Sequence, residues 1–162
     1  MHSGIDNIRY GVITVSDSRY NKLISGISVD DPSGNYLKEE LNAKVYAIIP
    51  DNRDMVIGLI DHIIDYHDID AIVITGGTGV SKRDSTPETL EEIFTKTLDG
   101  FKYLFHKLSY EDIGYSTILS RSTCGIYRNK VIYSLPGSLG ACKTGIKIIK
   151  SQTGHIVRHL NE

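Results

Sequence analysis

The amino-acid sequence predicts an α/β fold with a mainly parallel sheet. Short runs of β-branched apolar residues recur along the chain, each ends in a polar or glycine-bearing turn, and a stretch with helical apolar spacing follows. The 162 residues show no internal repeat and no linker, so residues 1–162 read as one domain. A hydrophobic content of 40%, with 15 Gly against 4 Pro, can build a core and excludes disordered and collagen-like chains.

Taken in order, residues 8–15 (IRYGVITV) form an apolar run suited to a buried strand. Asp31, Pro32, Ser33 and Gly34 open a helix over 35–41, and residues 44–49 (KVYAII) give a second strand stopped by Pro50. Met55, Leu59, Ile60, Ile63 and Ile64 recur at helical spacing as far as Tyr66 and His67. Residues 71–75 (AIVIT) are the clearest buried strand and run straight into Gly76, Gly77, Thr78 and Gly79. Thr86 as a cap, Pro87 at the first helical position and Glu88 in the first turn start a helix over 87–98. A further helix covers 100–108, residues 131–135 (VIYSL) give another strand, and a helix over about 139–149 closes the alternation. Residues 110–129 are open between an irregular loop and a small hairpin with strands at 116–120 and 123–127.

Net charge is −2, and Lys and Arg are spread along the chain, which argues against a nucleic-acid footprint. Cys124 and Cys142 have no metal-ligand spacing and read as buried, reduced thiols rather than a disulfide framework. No apolar run approaches the roughly 20 residues of a membrane helix. Met1 to Asp6 carry neither a basic nor a hydrophobic leader region, so a soluble cytoplasmic protein is expected.

Ligands of open α/β sheets collect at the carboxyl ends of parallel strands. Ser16 to Arg19, Asp51 to Asp54, Gly76 to Asp84 and Pro136 to Ser138 mark four such ends, and parallel neighbouring strands would bring them to one rim. Among them Thr75, Gly76, Gly77, Thr78 and Gly79 are the sharpest phosphate candidate, because glycines let backbone N–H groups approach an anion closely. The run matches neither a P-loop nor a dinucleotide fingerprint, and a tight turn without ligand is the alternative. Gly137 and Ser138 are candidates for a second anion contact at a helix start, whereas Lys143 and Thr144 read as helix surface.

Asp51 and Asp84 flank these turns. Paired carboxylates beside a phosphate loop suit Mg²⁺ carried with a nucleotide, since one or two protein oxygens suffice beside phosphate and water. For each, helix capping is the competing role. Arg83 reads either as a partner for Asp84 or as a positive charge for a phosphate. His155 and His159 lack the glutamate of a zinc-protease helix, and Asp61, Asp65, Asp68 and Asp70 read as an exposed acidic stretch.

With these residues in view, the chain resembles the MoaB/Mog family of molybdenum cofactor biosynthesis proteins over nearly its whole length. Val15-Ser16-Asp17, Asp31-Pro32-Ser33-Gly34, Ile49-Pro50-Asp51, Thr75 to Gly79 with Arg83 to Glu88, and Leu135-Pro136-Gly137-Ser138 carry the resemblance. Residues 101–113 with Leu119, Ser120 and Arg121 are closer to the MoaB branch. Leu139-Gly140, where a proline often follows, and Ser151-Gln152-Thr153, in place of Pro-Glu-Leu, depart from the pattern. The resemblance implies a three-layer αβα domain, assembly into trimers or hexamers with the hexamer favoured, and contact with the molybdate-insertion protein of the pathway. It implies Mg-ATP-dependent adenylylation of molybdopterin with release of pyrophosphate, or else a silent pterin carrier. It points to Asp51 and Asp84 as the catalytic and Mg²⁺-holding aspartates and to the glycine turn with Arg83 as the nucleotide site. Ser16, Asp17, Ser120, Arg121, Gly137 and Ser138 fall near the pterin by similarity.

Overall fold

The computed structural model describes residues 7–162, so the leader-free reading of Met1 to Asp6 lies outside the described residues. Along the chain come β1 (Tyr10–Val15), α1 (Asp17–Ile24), α2 (Pro32–Glu40), β2 (Val45–Ile49), α3 (Arg53–Tyr66), β3 (Ala71–Thr75), α4 (Thr86–Ile93), β4 (Lys96–Thr97), α5 (Asp99–Ile113), a 3₁₀ turn (Gly114–Leu119), β5 (Thr123–Tyr127), β6 (Lys130–Leu135) and α6 (Leu139–Leu160). The strands form one sheet in the order β2-β1-β3-β6-β5-β4; the first four are mutually parallel, and β5 and β4 join antiparallel.

Alternation along the central strands builds the three layers. Val12, Val73, Tyr133 and Leu135 bury against Leu37 of α2, Phe105 of α5 and Ile149 of α6. Ile13, Ile72, Ile74 and Ile132 bury on the opposite face with Val56, Ile60 and Ile63 of α3 and Leu90 of α4. Two-residue periodicity sends neighbours to opposite faces, so an apolar run without polar interruptions has to be covered on both sides.

Four secondary-structure expectations are corrected. Asp17 to Arg19, read as part of a polar loop at a strand end, open α1, which is capped by Ser16 Oγ accepting from the Arg19 N–H at 3.3 Å. No residue of α1 is buried, so it lacks the apolar period that betrays a helix. The helix expected over 87–98 stops at Ile93, because residues 94–98 turn extended: the Thr95 and Leu98 N–H groups donate to the Ile126 and Cys124 carbonyls. The Phe94 ring fills the side-chain space above Gly125, where a Cβ would meet it at 2.2 Å. Residues 116–120 are not a strand but lie mostly in the 3₁₀ turn, whereas 123–127 is one. Its hairpin with β6 turns at Arg128 and Asn129, both at positive φ (47° and 63°), a primed two-residue turn without its usual glycine. Finally, the closing helix runs to Leu160 rather than 149, carried by buried Ile149, Thr153 and Val157.

The acidic stretch is paired rather than simply solvated: Asp68 and Asp70 bond Arg9, and Asp61 and Asp65 bond Arg128. Thr144 is not helix surface either; it is buried, and its hydroxyl bonds Asp112 and the Gly140 carbonyl. Both cysteines are free and buried. Among the described residues no helix is long and apolar enough to cross a membrane.

Candidate active site

Because β2, β1, β3 and β6 are parallel neighbours, their carboxyl ends bring the four expected loops to one rim. They are stitched together across the strand ends. The Ser16 N–H donates to the Ile49 carbonyl (2.8 Å), the Asp51 N–H to Asp17 Oδ1 (2.9 Å), and the Gly76 N–H to the Leu135 carbonyl (3.0 Å). Ser33 Oγ, in the turn opening α2, donates to the Gly137 carbonyl at 2.8 Å. That turn is held by buried Asp31, whose carboxylate accepts from Thr14 Oγ1 at 2.6 Å, from the Gly34 N–H at 3.2 Å and from the Tyr46 hydroxyl.

The glycine turn is shaped by two left-handed residues, Gly76 (φ 102°) and Gly77 (φ 70°). A Cβ at Gly76 would lie 2.2 Å from the Val15 carbonyl oxygen, so only glycine lets the chain leave β3 this close to β1. Thr75 is buried beneath, its hydroxyl donating to the Pro136 carbonyl at 3.0 Å and lying 3.4 Å from Cys142 Sγ. Burial raises the Cys142 thiol above its ordinary pKa, which leaves it a packing group rather than a nucleophile. Among the described residues, the N–H groups of Gly77, Thr78 and Gly79 donate to no protein acceptor. Their carbonyls are occupied: the Thr86 N–H donates to Gly77 O, and Arg121 Nε donates to Thr78 O and Gly79 O at 2.9 and 3.0 Å. The turn thus has its acceptors tied back and its donors unspent, which is what an anion cradle requires.

The two aspartates stand at either end of that turn. Asp51 is buried and accepts from the Ser85 N–H (3.0 Å, Oδ2) and from Ser85 Oγ (2.9 Å, Oδ1), so it caps α4 from another loop. Asp84 Oδ2 accepts from the N–H and Oγ of Ser81 at 3.1 and 2.6 Å. Built Cβ atoms would stand 2.6 Å from Asp51 Oδ2 at Gly77 and 2.7 Å from Asp84 Oδ2 at Gly79, so each carboxylate touches one end of the turn. Asp51 therefore has the capping role and also stands against the glycine turn. Arg83 does not pair with Asp84; it bonds Asp17 Oδ2 (Nε 3.0 Å, Nη2 2.9 Å) and reaches the Asp51 carbonyl at 3.4 Å.

Of the residues that the resemblance puts near a pterin, Ser138 caps α6 by accepting the Ala141 N–H at 3.1 Å. Ser120 and Ser138 line a cavity of about 100 Å³ with Ser109, Asp112 and Thr144. Arg121 belongs to the turn: besides Thr78 and Gly79 it donates to the Asp84 carbonyl at 3.1 Å and pairs with Glu88. Ser33, Ser85, Glu88 and Asp112 stand against the expected site residues without having been singled out as candidates. Ser33, Ser85 and Glu88 lie inside the quoted motifs, and Asp112 carried no signal.

Residues 11–155 match the family model described as a probable molybdopterin binding domain. The chain belongs to this family. It is similar to a "Probable molybdopterin adenylyltransferase" of Methanocaldococcus jannaschii, 60% identical over all of this chain and 99% of the relative. A "Molybdopterin adenylyltransferase" of Pyrococcus furiosus is 42% identical over 95% of this chain and 92% of its own. Among solved structures, the "tungsten cofactor synthesizing protein MoaB" of Pyrococcus furiosus superposes with a TM-score of 0.86 at 40% identity, covering 98% of this chain and 99% of that one. The family fold and the three-layer arrangement described above are therefore the same.

Proposed function

We propose that the protein is a molybdopterin adenylyltransferase in molybdenum cofactor biosynthesis, using ATP and releasing pyrophosphate. The observation that carries the reading is the placement of two carboxylates, Asp51 and Asp84, at the two ends of a turn whose N–H groups are free to bind phosphate. The relatives named for this activity support it. In the reaction an oxygen of the pterin's terminal phosphate attacks the α-phosphorus of ATP, and the bond from that phosphorus to the bridging oxygen breaks. Pyrophosphate carries away the electron pair. The N–H groups of Gly77, Thr78 and Gly79 orient the triphosphate, and Arg83 sits where it can exchange Asp17 for phosphate oxygens. Ser120 and Ser138, beside that small cavity, are the residues that would contact the pterin.

Among the described residues no three His, Cys, Asp or Glu side chains converge as a metal cage. Two carboxylates beside a phosphate cradle nevertheless fit an Mg²⁺ ion brought in by the nucleotide, with Asp51 and Asp84 as its protein ligands. Held there, such an ion would neutralise charge on the transferring phosphates. Incubating the protein with molybdopterin, ATP and Mg²⁺ should yield adenylylated pterin and pyrophosphate in equal amounts. Tight pterin binding without product would leave a carrier instead.

Self-assembly is the second part of the proposal, with a hexamer built from trimers as the expected form. Its support is an exposed apolar face along α5 and the 3₁₀ turn, with Tyr103, Leu104, Tyr110, Ile113, Tyr115 and Ile118 outward. Light scattering at micromolar concentration should show the oligomer; a sole 18.0 kDa species would refute it.

A further inference from the structure

Thr86 is fully buried at the first residue of α4, and its Oγ1 has no hydrogen-bond partner among the described residues. A threonine within a helix can pass its proton to the carbonyl four residues back. At the first helical position that carbonyl belongs to the preceding loop, so this route is closed. Valine has nearly the same shape, would fill the same space and would leave no unsatisfied hydroxyl. For the free protein the hydroxyl is a cost without a return.

Its surroundings show where a return lies. A Cβ built on Gly77 would stand 2.1 Å from Thr86 Oγ1 and 2.6 Å from Asp51 Oδ2, so both oxygens face the same α-carbon. The Thr86 N–H donates to the Gly77 carbonyl at 3.2 Å, which fixes the hydroxyl against the turn. Among the described residues Asp51 satisfies its carboxylate on Ser85 alone, through the N–H and Oγ. A carboxylate drawn toward a cation carried by a bound nucleotide would slacken one of those bonds, and the neighbouring Thr86 hydroxyl is the unspent donor beside it.

We infer that Thr86 is a positioning residue: its hydroxyl, unsatisfied in the free protein, donates to Asp51 Oδ2 when nucleotide is bound and fixes that carboxylate for adenylyl transfer. The inference rests on the adenylyltransferase reading for its consequence in turnover, but not for its consequence in nucleotide affinity.

Thr86→Val and Thr86→Ser separate the possibilities in three measurements: denaturation midpoint of the free protein, ATP affinity by calorimetry, and turnover. Thr86→Val should keep or raise the midpoint, while ATP affinity or turnover falls by about tenfold to a hundredfold, the range for losing a hydrogen bond to a charged group. Thr86→Ser should restore both to within about threefold, since it returns the hydroxyl without the methyl. A lower midpoint for Thr86→Val with wild-type affinity and turnover per folded molecule would overturn the inference, leaving a structural threonine. So would wild-type behaviour of Thr86→Val throughout, or equal losses in both variants. Wild-type protein that binds ATP but forms no adenylylated pterin would sink the proposed activity instead, and the affinities would still decide the role of Thr86.

Discussion

Replacing Asp51 by asparagine separates the two roles this residue holds. Its carboxylate accepts from the Ser85 N–H at 3.0 Å and from Ser85 Oγ at 2.9 Å. Asparagine occupies the same space; its oxygen can take the N–H, and its amide can donate to Ser85 Oγ. The number of bonds is kept, and only their charge assistance is lost. A hydrogen bond to a charged group is worth about 1.5–3 kcal/mol and a neutral one about 0.5–1.5, so two bonds lose about 2 kcal/mol together. For a chain of this length that lowers Tm by about 4–8 °C. Losing the carboxylate that would hold Mg²⁺ at the transferring phosphorus should cut kcat at least a hundredfold, about 2.7 kcal/mol. Asp51→Ala should match that catalytic loss with a larger fall in Tm, because Ser85 then keeps two donors and no acceptor. The Asp84 carboxylate accepts its hydrogen bonds from Ser81 on the exposed rim, so Asp84→Asn should lose turnover with Tm within about 2 °C of wild type. Thermal melts and single-turnover assays on the same preparations decide the matter. If Asp51→Asn melts early but adenylylates at the wild-type rate per folded molecule, Asp51 is a cap and nothing more.

Gly77→Ala forces a side chain into a left-handed position and against Thr86 Oγ1 and Asp51 Oδ2, so nucleotide affinity should fall at least tenfold or the variant should melt markedly earlier; unchanged affinity in a stable variant would remove the turn from the site. Both thiols are buried, and burial raises the pKa of each, so a disulfide-exchange reagent near neutral pH should titrate neither in the native protein and both after denaturation. Burial alone would raise the Asp70 carboxyl, but its bonds to Arg9 outweigh that and hold it below the usual carboxylate range. Its contribution to stability is therefore present above the unfolded-state value and disappears as pH falls through the lower folded-state value. Asp70→Asn should flatten the acid side of the stability profile there, as read by urea midpoints between about pH 5 and pH 2.

The alternation of apolar runs and glycine-bearing turns determined the α/β fold, because a strand that is apolar on both faces has to be covered from both sides. It also located the rim, since parallel neighbours end on the same edge. The motifs around Asp51, the glycine turn and Asp84 were legible because each breaks the apolar pattern at a strand end. What the tertiary structure alone decided is how those residues are used. Arg83 and Asp84 are adjacent in sequence, yet Arg83 reaches Asp17 on the loop after β1, and Asp84 turns back to Ser81. Arg121 lies far along the chain and nevertheless holds the carbonyls of Thr78, Gly79 and Asp84. Helix α1 has no buried face to announce it, and the hairpin at Arg128 and Asn129 takes its left-handed turn without a glycine. Period and turn chemistry are local and can be read along one strand of text; hydrogen bonds between loops depend on which strand ends lie side by side, and that is settled only when the sheet has formed.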